Sequence, residues 1–276
     1  LGGTASRRES YGVEDDPKNL VYLLRKMQHA VDLMRQGKLA EAEGLEREVI
    51  AERADMGMAY HYLAFNLLEQ ERVPEAIAVM ERSRDAGLAS PKLLRQLGLS
   101  LAEAGRHTDA RGVLEPLAAT GDPRALQDLA SVLSDAGDQA SAGAVLQRLL
   151  ASNPDDPEAL QTLALVELRR GQPRQAVAAA ERAIALDAGL GLAWSCLGEA
   201  SYALGEKARA LEAFEHAVEI DPSNFDALYN ITLVAAELGD AARLRTALER
   251  FIATAPAERY GPHLENARRL LAQLGA

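Results

Sequence analysis

Cysteine is nearly absent from this chain: Cys196 is the only one in 276 residues. A single thiol cannot close an internal disulfide, which excludes a disulfide scaffold and a cysteine-rich zinc site. No run of about 18 apolar residues is present, so the sequence offers no membrane-spanning helix. Basic residues are outnumbered, with Lys+Arg 30 against Asp+Glu 41 and a formal net charge of −11. A broad nucleic-acid face, which needs clustered positive charge, is therefore not expected. Catalytic motifs are missing as well: there is no phosphate-binding glycine loop, no His-Glu-x-x-His and no Gly-x-Ser-x-Gly. The five histidines, His29, His61, His107, His216 and His263, never fall at metal-ligand spacing. Asp15-Asp16 and Asp155-Asp156 each precede a proline-bounded helix start. Capping explains them better than metal binding. Cys196 reads as a packing residue and His29 as a core residue. The chain is expected to be non-catalytic, with no cofactor and no metal.

Aromatic residues are also scarce, at 4%. What fills the chain instead is alanine, 52 residues by count, within a hydrophobic content of 48% that excludes disorder. Ala and Leu lose least on entering a helix, so the expectation is helix throughout.

A repeat organises those helices. Trp194, Leu197, Gly198, Gly205, Ala210, Phe214, Ala217 and Pro222 occupy positions 4, 7, 8, 15, 20, 24, 27 and 32 of a 34-residue unit. One period earlier stand Leu160, Leu163, Ala164, Gly171 and Ala176, and one period later Leu228, Ile231, Gly239, Leu244 and Leu248. The pattern resembles the tetratricopeptide repeat (TPR) family, with Ser201 in place of the usual tyrosine. Seven units follow in register: 23–56, 57–90, a shortened 91–122, then 123–156, 157–190, 191–224 and 225–258. The resemblance implies an all-α, α-α superhelix of seven helix-turn-helix units. Residues 1–22 are a tail and the start of a first helix running from Leu20 to Met34, and 259–276 hold a C-terminal capping helix. In that cap Leu264, Ala267, Leu270, Leu271 and Leu274 form one stripe from Pro262 onward, while Glu265, Asn266, Arg268, Arg269 and Gln273 face out. Glycine at position 15 suits a helix end needing φ > 0, small residues at 8 and 20 let the paired helices approach, and proline at 32 ends the second helix.

In this family the first helix of each unit lines a concave groove, with positions 2, 5, 9 and 12 facing outward. Here position 5 holds Met27, His61, Arg95, Gln127, Gln161, Ser195 and Tyr229. Positions 9 and 12 supply Phe65, Leu99, Leu165, Leu168, Tyr202 and Leu233. An apolar stripe on a concave wall marks a peptide or helix site. The alternative is that these side chains contact one another or pack under residues 1–19. Lys92, Arg95 and Arg124 suggest a basic patch, and Glu158, Glu199 and Asp226 an acidic stretch, which together would orient a partner. A solvated helix face is the competing reading. The clamp by which some TPR proteins hold the C-terminal carboxylate of heat-shock chaperones needs a lysine at position 5 and an asparagine at position 9 of one unit. No unit here has that pair. Asn230 is the only asparagine at a sixth position, so a ladder of groove asparagines is not expected either.

Residues 1–20 carry a second resemblance. Leu-Gly-Gly-Thr and Asp16-Pro17-Lys18 look like the junction between the catalytic domain and the repeats of bacterial sulfatase-family proteins, although the junction tyrosine is missing. The ending Phe251-Ile-Ala-Thr-Ala-Pro256 is similar to such C-terminal regions. The sulfatase nucleophile motif is absent, so a catalytic domain would lie upstream, in keeping with a chain that begins at Leu1 and reads as a fragment or processed product. Two functions are thus expected. The first is an interaction scaffold for a protein or peptide. The second is the accessory module of a sulfatase-like hydrolase, bound to a catalytic domain of the same polypeptide. Self-association through the terminal helices is a third. The first reading leaves a cytoplasmic location open, and the second implies a periplasmic or exported one.

Overall fold

The structure, a computed structural model, describes residues 17–274. Among the described residues there are fifteen helices and no strand. They run as pairs: α1 (Pro17–Arg35) with α2 (Leu39–Glu52), α3 (Gly57–Glu69) with α4 (Val73–Asp85), and α5 (Pro91–Glu103) with α6 (His107–Ala119). Then come α7 (Pro123–Asp135) with α8 (Gln139–Ser152), α9 (Pro157–Arg169) with α10 (Pro173–Leu186), α11 (Gly191–Ala203) with α12 (Lys207–Ile220), and α13 (Phe225–Leu238) with α14 (Ala241–Thr254). A single helix, α15 (Ala257–Leu274), closes the chain. Contacts divide it after Thr120 into two compact units, α1–α6 and α7–α15. The division falls at the end of the one 32-residue repeat, where Pro116 sits inside α6 and the helix stops at Ala119.

Local signals set the helix ends. Pro91, Pro123 and Pro157 stand at the first helical position, where a missing N–H costs nothing. The residues before them cap: Ser90 accepts from the Leu93 N–H (3.2 Å), Asp122 from Arg124 (3.0 Å) and Asp156 from Ala159 (3.0 Å). Asp156 thus does the capping expected of it, whereas Asp15 and Asp16 lie outside the described residues.

The turn inside each pair is left-handed at position 15. Gly105, at φ 75°, is typical: its N–H reaches the Ala102 carbonyl (2.9 Å) and the next N–H, of Arg106, reaches Leu101 (2.8 Å). This double bond satisfies the last carbonyls of the helix. In the second repeat the position holds Glu71, at φ 58°, with the same two bonds: Glu71 to Leu68 and Arg72 to Leu67, both 2.9 Å. A Cβ in this region costs about 1–2 kcal/mol, offset in part by the greater unfolded-chain entropy of glycine. Glu71→Gly is therefore expected to stabilise the chain by about 0.5–1 kcal/mol, read as a raised urea midpoint at unchanged slope. A lowered midpoint would contradict this strain.

Small residues close the pairs. Ala42, Ala64, Ala76, Ala130, Ala142, Ala164, Ala176 and Ala210 are fully buried. At Gly98 and Gly198 the approach is closer still. It comes from position 24, since a Cβ on Gly98 would lie 2.5 Å from the Leu114 side chain and one on Gly198 2.6 Å from the Phe214 ring. Cys196 packs in the second unit among Ala164, Ala180 and Leu197, and burial pushes its thiol up to about 12.

Two expectations fail at the ends. In α1 the buried stripe is Leu23, Met27, Ala30 and Leu33, so Met27 is core and His29 is exposed. The spacing i, i+4, i+7, i+10 is a narrow stripe, and the position-7 face of α1 meets solvent. At the other end α15 starts at Ala257, ahead of the expected Pro262, and kinks at Tyr260 (φ −110°, ψ 15°). Tyr260 is buried there and donates to Asp226 Oδ1 (2.9 Å). Leu264 and Ala267 are buried as expected, with Leu270, Leu271 and Leu274 packed on the same cluster. Asn266 does not face out but is half-buried.

Candidate groove sites on the first helices

In the first unit the outward faces of α3 and α5 meet. The His61 and Phe65 rings stack with centroids 4.8 Å apart, one turn apart on α3. Lys92, at the start of α5, places its Nζ 5.1 Å from the Phe65 centroid. Phe65 is therefore half-buried beneath a cation, an arrangement that attracts through the ring quadrupole. Burial, and then the Lys92 charge, lower the His61 pKa. Its Nδ1 is buried without a partner. Leu99 and Arg95 are half-buried farther along α5. Apolar and basic candidates thus form one surface here, not a stripe beside a patch. Arg124, the third expected member of the basic patch, lies in the second unit, exposed at the start of α7.

In the second unit the position-5 residues behave differently from expectation. Gln127 donates to Thr162 Oγ1 (2.6 Å), and the Gln161 side-chain oxygen accepts from the Ala193 N–H (3.2 Å). Ser195 accepts from Asn224 Nδ2 (2.9 Å), and the Tyr229 hydroxyl accepts from Asn266 Nδ2 (3.3 Å). Each ties one repeat to the next element along the chain. Gln161 also supplies an acceptor to the start of α11, whose own N-cap, Leu190, has no side-chain oxygen. Tyr229 is likewise no open groove residue. Its ring packs on Phe251 and His263, 5.4 and 4.7 Å between centroids, where α15 takes the place of a following repeat. Asp226 is held by Arg259 (3.1 Å) and Tyr260, so this end of the expected acidic stretch is paired, although its charge still acts on Glu199.

Leu165 and Leu168 are half-buried against Ala164, Ala180 and Leu197. Open apolar surface is found on α11 and α13, where Tyr202 is 40% and Leu233 37% exposed. Tyr202 donates to Glu237 Oε1 (2.7 Å), and Lys207 Nζ pairs with Glu237 Oε2 (2.9 Å). These bonds fix the ring and hold the Glu237 carboxyl below its usual range. Tyr202, Leu233, Val234 and Phe214 line a pocket of about 400 Å³, together with Glu199 and Asn230. Asn230 is not among the groove residues expected from the sequence, although its place at position 6 puts it beside Leu233 on one helix face.

Among the described residues no group of three or more His, Cys, Asp or Glu is placed to hold a metal. No described helix is long and apolar enough to cross a membrane.

Two segments of the chain match family models described as tetratricopeptide repeat, 123–166 and 191–224. No curated protein matches. Solved structures do. One is a tetratricopeptide repeat protein from Parabacteroides merdae, 14% identical with a TM-score of 0.69, covering 92% of this chain and 99% of that one. Each compact unit has the same fold, a stack of antiparallel helix pairs. A second is the Cut9–Hcn1 hetero-tetramer of the APC/C (19% identity, TM-score 0.66), which covers 91% of this chain and 50% of that one. A third is MamA from Desulfovibrio magneticus RS-1 (24% identity, TM-score 0.50), covering 58% of this chain and 90% of that one. Neither matched segment includes the sulfatase-like junction at 1–20, most of which lies outside the described residues.

Proposed function

We propose that this chain is a non-catalytic interaction scaffold that holds a peptide or helical segment of a protein partner on the outward faces of its first helices. The observation that carries the reading is the exposed pair Tyr202 and Leu233 at the mouth of a pocket on α11 and α13. Where this face is not engaged by the next repeat, as at Tyr202 and Leu233, apolar side chains left exposed there can bury a partner. The stacked His61, Phe65 and Lys92 offer a second contact surface in the first unit. The Cut9–Hcn1 assembly, in which a similarly folded chain binds protein, is in keeping with this.

The test is affinity capture with crosslinking, comparing wild type with Phe65→Asp and Leu233→Asp. Neither residue is fully buried, so both variants should melt like wild type. An interface anchor lost to a charge is expected to weaken a captured partner about ten-fold or more. Full retention of every captured partner by both folded variants would overturn the proposal.

A further inference from the structure

The pocket on α11 and α13 combines an apolar wall with two polar groups that lack partners. Glu199 and Tyr202 stand three residues apart on α11, and Asn230, Leu233 and Val234 share one face of α13. Neither the Glu199 carboxylate nor the Asn230 carboxamide forms a hydrogen bond or ion pair with a described residue. Glu199 reaches solvent, yet the concave wall strips part of its hydration, and the Asp226 charge adds to the effect. Both push its carboxyl above the ordinary carboxylate range. The nearby cation, Arg169, forms no hydrogen bond or ion pair with Glu199 and only partly offsets these effects through its charge; its Nη1 donates to Ser134 Oγ (2.7 Å) and Asp135 (3.1 Å).

From this juxtaposition we infer that the pocket receives an arginine side chain of a basic partner peptide, with Glu199 as its counter-ion and Tyr202 as its stacking platform. The inference rests on the proposed groove reading and names the chemistry of its occupant. An apolar side chain seated here would bury the carboxylate unpaired, at a cost of several kcal/mol. An acidic side chain would be repelled by Glu199 and by the acidic chain as a whole. A guanidinium satisfies the site. Its planar fork pairs with a carboxylate, its face stacks on an aromatic ring, and its methylenes lie along apolar surface such as Leu233 and Val234. Asn230 is left to bond the peptide backbone, since a carboxamide both donates and accepts. The Tyr202 platform is already fixed by Glu237, so little ordering is needed on binding.

The test uses the whole chain against a phage library of short random peptides, with selected peptides re-measured as synthetic fluorescent probes. Glu199→Gln should fold at least as well as wild type, because it removes a carboxylate that its surroundings disfavour. The expected result is that peptides dependent on Leu233, lost in Leu233→Asp, carry arginine beside an apolar residue. They should bind Glu199→Gln about ten-fold more weakly, and exchange of the arginine for glutamine should cost about the same with no further loss on the variant. If Leu233-dependent peptides lack arginine, or if Glu199→Gln leaves their affinity unchanged, the arginine pocket is wrong while the groove reading stands. If no selected peptide depends on Leu233, the arginine pocket falls, and if none depends on Phe65 either, the groove reading falls with it.

Discussion

Replacing Glu46 with Gln is expected to invert in effect with pH: a gain of about 2 kcal/mol near pH 8 and a loss of about 1 kcal/mol near pH 5. Glu46 lies in the middle of α2 with no exposure at all. It occupies position 24, where the other repeats have Met80, Leu114, Leu146, Ala180, Phe214 and Leu248. Its Oε2 accepts from Asn66 Nδ2 (3.0 Å), while Oε1 is buried without a partner. No cation reaches it. Arg72, the nearby guanidinium, is tied to Glu43 (2.7 Å) and Glu75 (2.6 Å). Burial therefore dominates and pushes the carboxyl up to about 7, with the Glu43 charge adding to it and the Asn66 bond opposing.

The direction of the pH dependence follows from proton counts. The folded chain holds a proton on Glu46 up to about pH 7, whereas the unfolded chain releases it near the ordinary carboxyl value of 4.5. Between those values the folded state binds more protons, so stability falls as pH rises and levels off above the folded value. The full span corresponds to about 3 kcal/mol. Gln keeps an acceptor for Asn66 and never charges, but leaves its own N–H groups without an acceptor. Hydrogen exchange of the α2 and α3 amides, followed across pH, isolates the first unit from the rest. Identical pH profiles for wild type and Glu46→Gln would refute the assignment.

Glu46 also marks where the sequence becomes hard to read. The repeat is legible because its signals are local. A left-handed turn selects glycine, a close crossing selects Ala or Gly, and a helix start selects Pro after Ser or Asp. Each needs only a few neighbouring residues. The same logic picks out Glu71 and Glu46, as charged residues at positions that otherwise take glycine and an apolar side chain. The groove was less legible. Periodicity says which face a side chain leaves from, not whether a neighbour reaches it. Gln127, Gln161 and Ser195 leave from the expected face and are then engaged by the next repeat. Tyr229 is covered because α15 follows it, and Met27 is buried because the stripe of α1 is narrower than those of the inner helices. Asn230 is not legible in the sequence, because a lone carboxamide carries no periodic signal. Its importance comes from the pocket it shares with Glu199, which lies on another helix.

Gly198→Ala is expected to destabilise the second unit by about 2 kcal/mol, although the same change on an exposed helix face gains about 1 kcal/mol. The added Cβ would fall 2.6 Å from Cδ1 and Cε1 of Phe214, a contact that carbon atoms do not tolerate. The ring cannot easily yield, being buried among Ala210, Leu211, Ala217 and Leu228. Either α11 and α12 separate or the ring leaves its rotamer, and both lose packing contacts. Phe214→Leu alone should cost about 1–2 kcal/mol, through lost apolar burial and a small cavity. The pair together should cost less than the sum. Ala130 and Leu146 hold the corresponding positions of α7 and α8 and are both fully buried, so that combination fits this hairpin geometry. A coupling of about 1–2 kcal/mol is expected from urea unfolding of the four chains of the cycle. Additive costs would mean that the backbone, not the ring, absorbs the extra carbon. The small-residue rule at position 8 would then reflect helix spacing alone, independent of what stands at position 24.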